Sequence, residues 1–182
     1  SKPYILTISS FETRKGIIDS LKAYSTSNLS KTYNFLIIGE DRSPSKQYFN
    51  EMISVINTMN LQDKVHILNP KEDVRPYIAN AYFIVLVSYW EGLSRTLLES
   101  LSMGKAILAS KNGGNKELVF DHHNGKLVNA GDVKQISKNM DLMLDQNLIQ
   151  KMSKNSRTIS VEKFNIIIKT KELEDLYKSF IK

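Results

Sequence analysis

The sequence contains no cysteine, which excludes disulfides, thiolate nucleophiles and cysteine-based metal sites together. Only 4 prolines and 8 glycines punctuate its 182 residues. With no Pro/Gly-rich linker, low-complexity tract or internal repeat, a single domain is expected. No apolar run approaches the roughly 18 residues of a membrane span; the longest, at residues 82–87, has the length of a strand. No secretory signal precedes the first strand pattern, and a cytosolic location is expected. The chain opens Ser1-Lys-Pro-Tyr without Met, which reads as a trimmed start. Basic residues outnumber acidic ones, 25 to 19, for a net charge of +6. They are scattered, with no run of five like charges and no basic stripe interleaved with aromatics, so nucleic-acid binding is disfavoured. A few well-placed lysines leave peripheral contact with acidic lipids at the inner membrane face open.

Several chemistries are missing as well. The turn after the first strand reads Ser9-Ser-Phe-Glu-Thr-Arg-Lys-Gly16, neither a G-x-G-x-x-G dinucleotide fingerprint nor a Walker lysine motif. There is no G-x-S-x-G elbow for a hydrolase. The 3 histidines, His66, His122 and His123, show no ligand spacing with carboxylates, so no metal site is expected. His66 alternates within a strand and reads as packed or at a sheet edge; His122 and His123 fall in a turn that faces water.

What is present is an ordinary globular balance of 41% apolar and 24% charged residues. Apolar runs at 3–8, 35–38, 65–68, 82–87, 106–109 and 125–128 read as strands. Helical spacing covers 16–24, 44–60 with Pro44 at its start, 74–80, 95–103 and a short turn at 116–119. From Asp132 the pattern is helical almost to the end, with breaks at 145–147 and 158–163. This alternation predicts an α/β domain, a doubly wound parallel sheet of about six strands, with a helical C-terminal segment.

Ligands of such sheets bind at the carboxyl ends of the strands. Those ends, 9–15, 39–42, 69–73, 88–94 and 110–114, hold the polar residues. One stretch organises the edge: Ser88-Tyr-Trp-Glu-Gly-Leu-Ser-Arg-Thr-Leu-Leu-Glu99. It follows a buried strand, turns on Gly92 and enters a helix with Leu97, Leu98 and Leu101 toward the core. A helix N-terminus here offers backbone N–H groups to an anion. Glu91 stands before the helix and Glu99 one turn inside it. By themselves the two are either solvated acids or a clamp for adjacent hydroxyls. Lys15, with Arg14 beside it, sits at a helix start, where a cation opposes the macrodipole by a few tenths of a kcal/mol unless an anion shares the site.

The linked motifs resemble a known family. Glu91-Gly92 … Glu99, Met103-Gly104-Lys105, Gly113-Gly114-Asn-Lys-Glu117 and Asp121 … Gly125-Lys-Leu-Val128 are similar, in order and spacing, to the C-terminal domain of GT-B retaining glycosyltransferases of family GT4. Ile37-Ile-Gly39 ends the second strand as in that family. The resemblance implies a Rossmann-like domain over 1–182 that binds a UDP- or GDP-sugar without a metal. Residues 164–182 would be the terminal helix crossing to an acceptor-binding N-terminal domain that this chain lacks. It further implies that Glu99 holds ribose hydroxyls and that Glu91 contacts the transferred sugar. Backbone groups at Gly92, Leu93, Ser94 and Arg95 would face the diphosphate, Lys15 would neutralise it, and the loop from Asn69 to Asp73 would flank the base. Two departures stand out. The arginine that partners the family's lysine is Ser10 here, leaving Arg14 or Arg42 as substitute cations, and the usual Phe-Gly after Glu-Gly is Leu93-Ser94. The implied function is donor binding for a hexosyltransferase of polysaccharide or glycolipid assembly, with a glycan or lipid-linked acceptor and no transfer by this domain alone. A non-catalytic nucleotide-sugar-binding or scaffold domain and a GT-B sugar-nucleotide epimerase are the alternatives.

Overall fold

A computed structural model of the chain describes residues 2–180. Ser1 and the last two residues of the expected 164–182 helix lie outside the described residues. The elements run β1 (Tyr4–Ile8), α1 (Ile17–Thr26), β2 (Asn34–Ile38), α2 (Gln47–Thr58), β3 (Val65–Leu68), α3 (Arg75–Asn80), β4 (Ile84–Leu86) and α4 (Arg95–Ser102). They continue with β5 (Ile107–Ser110), α5 (Asn115–Leu118), β6 (Gly125–Val128), α6 (Val133–Leu142), α7 (Gln146–Lys163) and α8 (Ile166–Phe180). The six strands form one parallel sheet in the order β3-β2-β1-β4-β5-β6. Leu6 of β1 lies between Leu36 of β2 and Ile84 of β4.

The strands are apolar on both faces because helices cover both. Ile5, Phe35, Ile37, Val85 and Leu108 face one core with Leu21 and Tyr24 of α1, Met52 of α2 and Met140 of α6. Leu6, Leu36, Ile84 and Ile107 face the other, with Ile78 of α3, Leu97 and Leu101 of α4 and Ile159 of α7. The chain crosses to one side of β1 for β2 and β3 and returns to its other side for β4 to β6. The connections leaving β1 and β4 therefore part company at their carboxyl ends and open a crevice there.

Element ends shift from those expected by a residue or two in several places, and two boundaries differ by more. Pro44 does not open α2: the Asp41 carboxylate accepts from the Ser43 N–H at 2.8 Å and the Phe49 N–H at 3.1 Å, holding 41–46 as a capping loop. No break occurs at 158–163, where α7 continues to Lys163. Burial of Ile159 and a bond from the Ser156 hydroxyl to the Lys105 carbonyl, 2.7 Å, outweigh the weak helix preference of Thr158, Ser160 and Val161. The C-terminal helix α8 contains no buried residue, and Ile166, Ile167 and Phe180 are each 76% exposed. Among the described residues, no helix is long and apolar enough to cross a membrane.

Candidate functional site

The loop after β1 is tied to the loop after β2 by backbone bonds from Ser9 to Ile38 and from Phe11 to Glu40, at 3.1 and 2.8 Å. A 3-10 turn, Thr13–Lys15, then ends on Gly16 in the left-handed region, φ 65°. A Cβ at Gly16 would collide with the carbonyl of Val87. Only glycine therefore lets this turn lie against the end of β4. The contact delivers Lys15 to the loop that carries Glu91, where its Nζ donates to Glu91 Oε1 at 2.6 Å. The two side chains are only 12% and 10% exposed. Charges so withdrawn from water need each other, since removing one strands the other.

Three contacts hold the Glu91 turn from below. The Ser88 carbonyl accepts from both the Ser110 hydroxyl and the Asn112 side-chain amide. The Gly114 N–H donates to the Glu91 carbonyl at 3.3 Å. Cβ atoms on Gly113 and Gly114 would run into the carbonyls of Glu91 and Gly92, so the paired glycines allow backbone to lie on backbone. From the other side, the Tyr89 N–H donates to the Arg14 carbonyl at 2.7 Å and the Tyr89 hydroxyl to Asp19 at 3.0 Å. That bond to the Asp19 carboxylate raises the Tyr89 pKa.

Beyond the turn, Ser94 caps α4, its hydroxyl accepting from the Leu97 N–H at 3.3 Å. First-turn N–H groups of any helix lack intrahelical partners, and here Thr96 pins that turn over β1 by donating to the Ile8 carbonyl at 3.1 Å. A cleft of ≈ 350 Å³ opens beside it, lined by Ser10, Gly39, Arg42, Lys71, Val74 and Arg95 among others. Val74 is shared with a second cleft of ≈ 410 Å³, which contains Glu99, Asp73, Arg75 and Met103. The Arg75 guanidinium, 2.8 Å from Asp73, holds that carboxyl below its usual range.

The fold thus brings Lys15 and Glu91 into contact, places Gly39, Arg95 and Ser10 around one cleft, and sets Glu99 in the adjoining one. Gly92 and Leu93 are exposed, and Asn69 is exposed on the loop that enters α3. Arg14 is engaged: it pairs with Glu12 at 2.7 Å and lies 4.8 Å over the Trp90 ring. The Ser10 hydroxyl and then Arg14 hold the Glu12 carboxyl below its ordinary pKa. Arg42 pairs with Glu40 at 2.7 Å. His66 meets Asn34 at 3.0 Å, and His122 meets Lys126 at 2.7 Å. Among the described residues, no group of three His, Asp or Glu side chains is placed to hold a metal. Sequence reasoning missed Ser110, Asn112 and Asn115 as supports of the Glu91 turn. The available signal was the polar run Lys111-Asn-Gly-Gly-Asn115 at the carboxyl end of β5.

The family model described as Glycosyl transferases group 1 matches residues 1–159. The chain is 28% identical over 150 residues to the UDP-Gal:alpha-D-GlcNAc-diphosphoundecaprenol alpha-1,3-galactosyltransferase of Escherichia coli, covering 82% of this chain and 38% of that protein. HepE of Anabaena, solved in complex with UDP, superposes with a TM-score of 0.92 at 19% identity, over 98% of this chain and 49% of that one. The isolated C-terminal domain of LpcC, a group 1 family protein of Francisella tularensis, superposes with a TM-score of 0.82 at 22% identity, over 91% of this chain and 89% of that domain. These structural likenesses show the fold, the same layered plan as the C-terminal domain of LpcC. The chain spans well under two thirds of the E. coli relative. With the family pattern matched over residues 1–159 and laid out on that fold, the chain belongs to the group 1 glycosyl transferases.

Proposed function

We propose that this chain is the donor-binding domain of a retaining glycosyltransferase that moves a sugar from a nucleoside-diphosphate sugar to a glycan or lipid-linked acceptor. The observation that carries it is the meeting of Lys15 with Glu91 at the carboxyl edge of the sheet, just before the N-terminus of a helix that bears Glu99. In transfer, the bond from the anomeric carbon to the diphosphate breaks and its electron pair leaves with the diphosphate; an acceptor hydroxyl oxygen takes its place, its proton passing to the departing diphosphate. The developing charge falls where Lys15 and the α4 N-terminus supply positive potential. In this scheme the backbone of Gly92 to Arg95 receives the diphosphate, Glu91 accepts from hydroxyls of the moving sugar and Glu99 from those of the ribose. The cleft shared by Gly39, Val74 and the loop after Asn69 takes the base. A UDP donor is favoured by the UDP-Gal named for the E. coli relative and the UDP held by HepE. The diphosphoundecaprenol in the former's name supports a lipid-linked acceptor, and with it a peripheral position at the inner membrane face. The acceptor would occupy a separate N-terminal half, which the exposed apolar face of α8 would meet, so this domain alone binds donor without transferring it.

Titration of the chain with UDP and GDP, followed by amide chemical shifts, tests the reading. UDP at millimolar concentration should move Gly92 to Arg95, and silence there with both nucleotides would refute it. A second reading, a nucleotide-sugar-binding domain without catalysis, is favoured by Ser10 together with the engagement of Arg14 by Glu12 and of Arg42 by Glu40. In the parent enzyme, an unchanged transfer rate on Lys15→Ala would show that Lys15 has no catalytic part.

A further inference from the structure

A polar network beneath the proposed sugar grip has no part in the scheme above. It starts at Asn115, fully buried, in the first turn of α5. Its amide nitrogen lies 3.3 Å from the Ser110 carbonyl, 3.2 Å from the Ser110 hydroxyl and 3.4 Å from the Asn112 side-chain oxygen. The Ser110 hydroxyl and the Asn112 amide then converge on a single atom, the carbonyl oxygen of Ser88. A carbonyl oxygen has two lone pairs, and both are taken. Ser88 and Ser110 are likewise fully buried. The Ser88 carbonyl lies two residues past the end of β4, at the start of the turn that carries Glu91, while Asn112 leads directly into the glycines on which Glu91 and Gly92 rest.

The network is expensive to keep. Among the described residues, Asn115 Oδ1 and Ser88 Oγ are buried without a hydrogen-bond partner, and such groups forfeit their hydration without return. What asparagine and serine supply that leucine cannot is a directional hold on one backbone oxygen.

We infer that Asn112 and Asn115 are positioning residues: with Ser110 they fix the 88–92 turn, and through it the placement of Glu91 against Lys15 and of the Gly92 backbone. The inference rests on the donor-binding reading for its functional consequence and on the network alone for its structural one. Neither asparagine touches the site itself.

The test compares the wild-type chain with Asn112→Ala, a half-buried position whose truncation leaves both cores intact. Amide hydrogen exchange is read at Gly114, which donates to Glu91, and at Tyr89, which donates to Arg14. Strand amides of Ile107 and Leu108 serve as the internal reference. Both turn amides should exchange at least about tenfold faster in the variant, the loss of roughly one hydrogen bond, while the strand amides hold. UDP affinity should fall by a similar factor. Asn115→Ala, measured in parallel, should give the same pattern if it folds, and Asn112→Ala decides the matter if it does not. Unchanged exchange at Gly114 and Tyr89 would overturn the inference, as would wild-type UDP affinity in a variant whose turn amides had opened. If the wild type binds neither UDP nor GDP, the donor reading fails on its own, and the exchange comparison still decides whether the network holds the turn.

Discussion

Lys15 and Glu91 sit 2.6 Å apart with side chains 12% and 10% exposed; on the proposed donor-binding reading, a diphosphate would compete with Glu91 for one ammonium group. Glu91→Gln keeps the shape and removes the competitor. UDP should then bind about fivefold more tightly, roughly 1 kcal/mol, while sugar transfer by the parent enzyme falls. Calorimetric titration reads this directly, and affinity that stays level or drops would mean the carboxylate does not compete. Lys15→Ala acts in the opposite direction, weakening UDP binding and leaving a carboxylate without its partner. It should lower unfolding free energy in urea by about 1–3 kcal/mol. The glycines of this edge divide in the same way. A Cβ on Gly114 meets the Gly92 carbonyl, whereas one on Gly92 meets nothing within 4 Å. Gly114→Ala should cost about 1–3 kcal/mol, and Gly92→Ala should fold with stability within about 0.5 kcal/mol of wild type. Equal urea midpoints for the two variants would contradict the stacked-backbone picture. The acids, the lysine and the glycine pair stood out in the sequence as candidates only through the linked motifs, which keep fixed spacing along the chain. That Lys15 and Glu91 touch was not legible, since the two are 76 positions apart.

At the scale of elements, α4 is short, and its direction depends on the Ser94 cap and on Thr96 reaching the Ile8 carbonyl. Ser94→Ala should remove about 1 kcal/mol of stability and broaden the amide signals of Arg95 and Thr96. A variant as stable as wild type would place the hold on this helix elsewhere. Helix and strand identities follow from residue pattern because the periods of 3.6 and 2 are local properties. The two boundaries that differed most are set by specific side-chain contacts that propensity does not register. Asp41 gathers the N–H groups of Ser43 and Phe49 and delays α2 past Pro44. Core burial of Ile159 carries α7 across a stretch of poor helix formers. Local propensity, worth tenths of a kcal/mol per residue, yields to such contacts.

Across the whole molecule, two closed cores flank the sheet, and α8 belongs to neither. Deleting residues 166–182 should therefore leave the thermal midpoint of the remaining chain unchanged within error; a fall of several degrees would show that α8 supports the domain. Composition and periodicity by themselves determined the layered α/β plan, because apolar runs of strand length must be buried on both faces and alternating helices are what cover them. The same sequence located the polar chemistry at the strands' carboxyl ends. Only the tertiary structure decided which of those polar groups meet. Parallel pairing in the order β3-β2-β1-β4-β5-β6 sets the ends of β1, β4 and β5 side by side. That juxtaposition joins Lys15 to Glu91 and lays Asn112 and Asn115 beneath them, since a side chain's partners depend on which strand ends become neighbours and not on their distance along the chain.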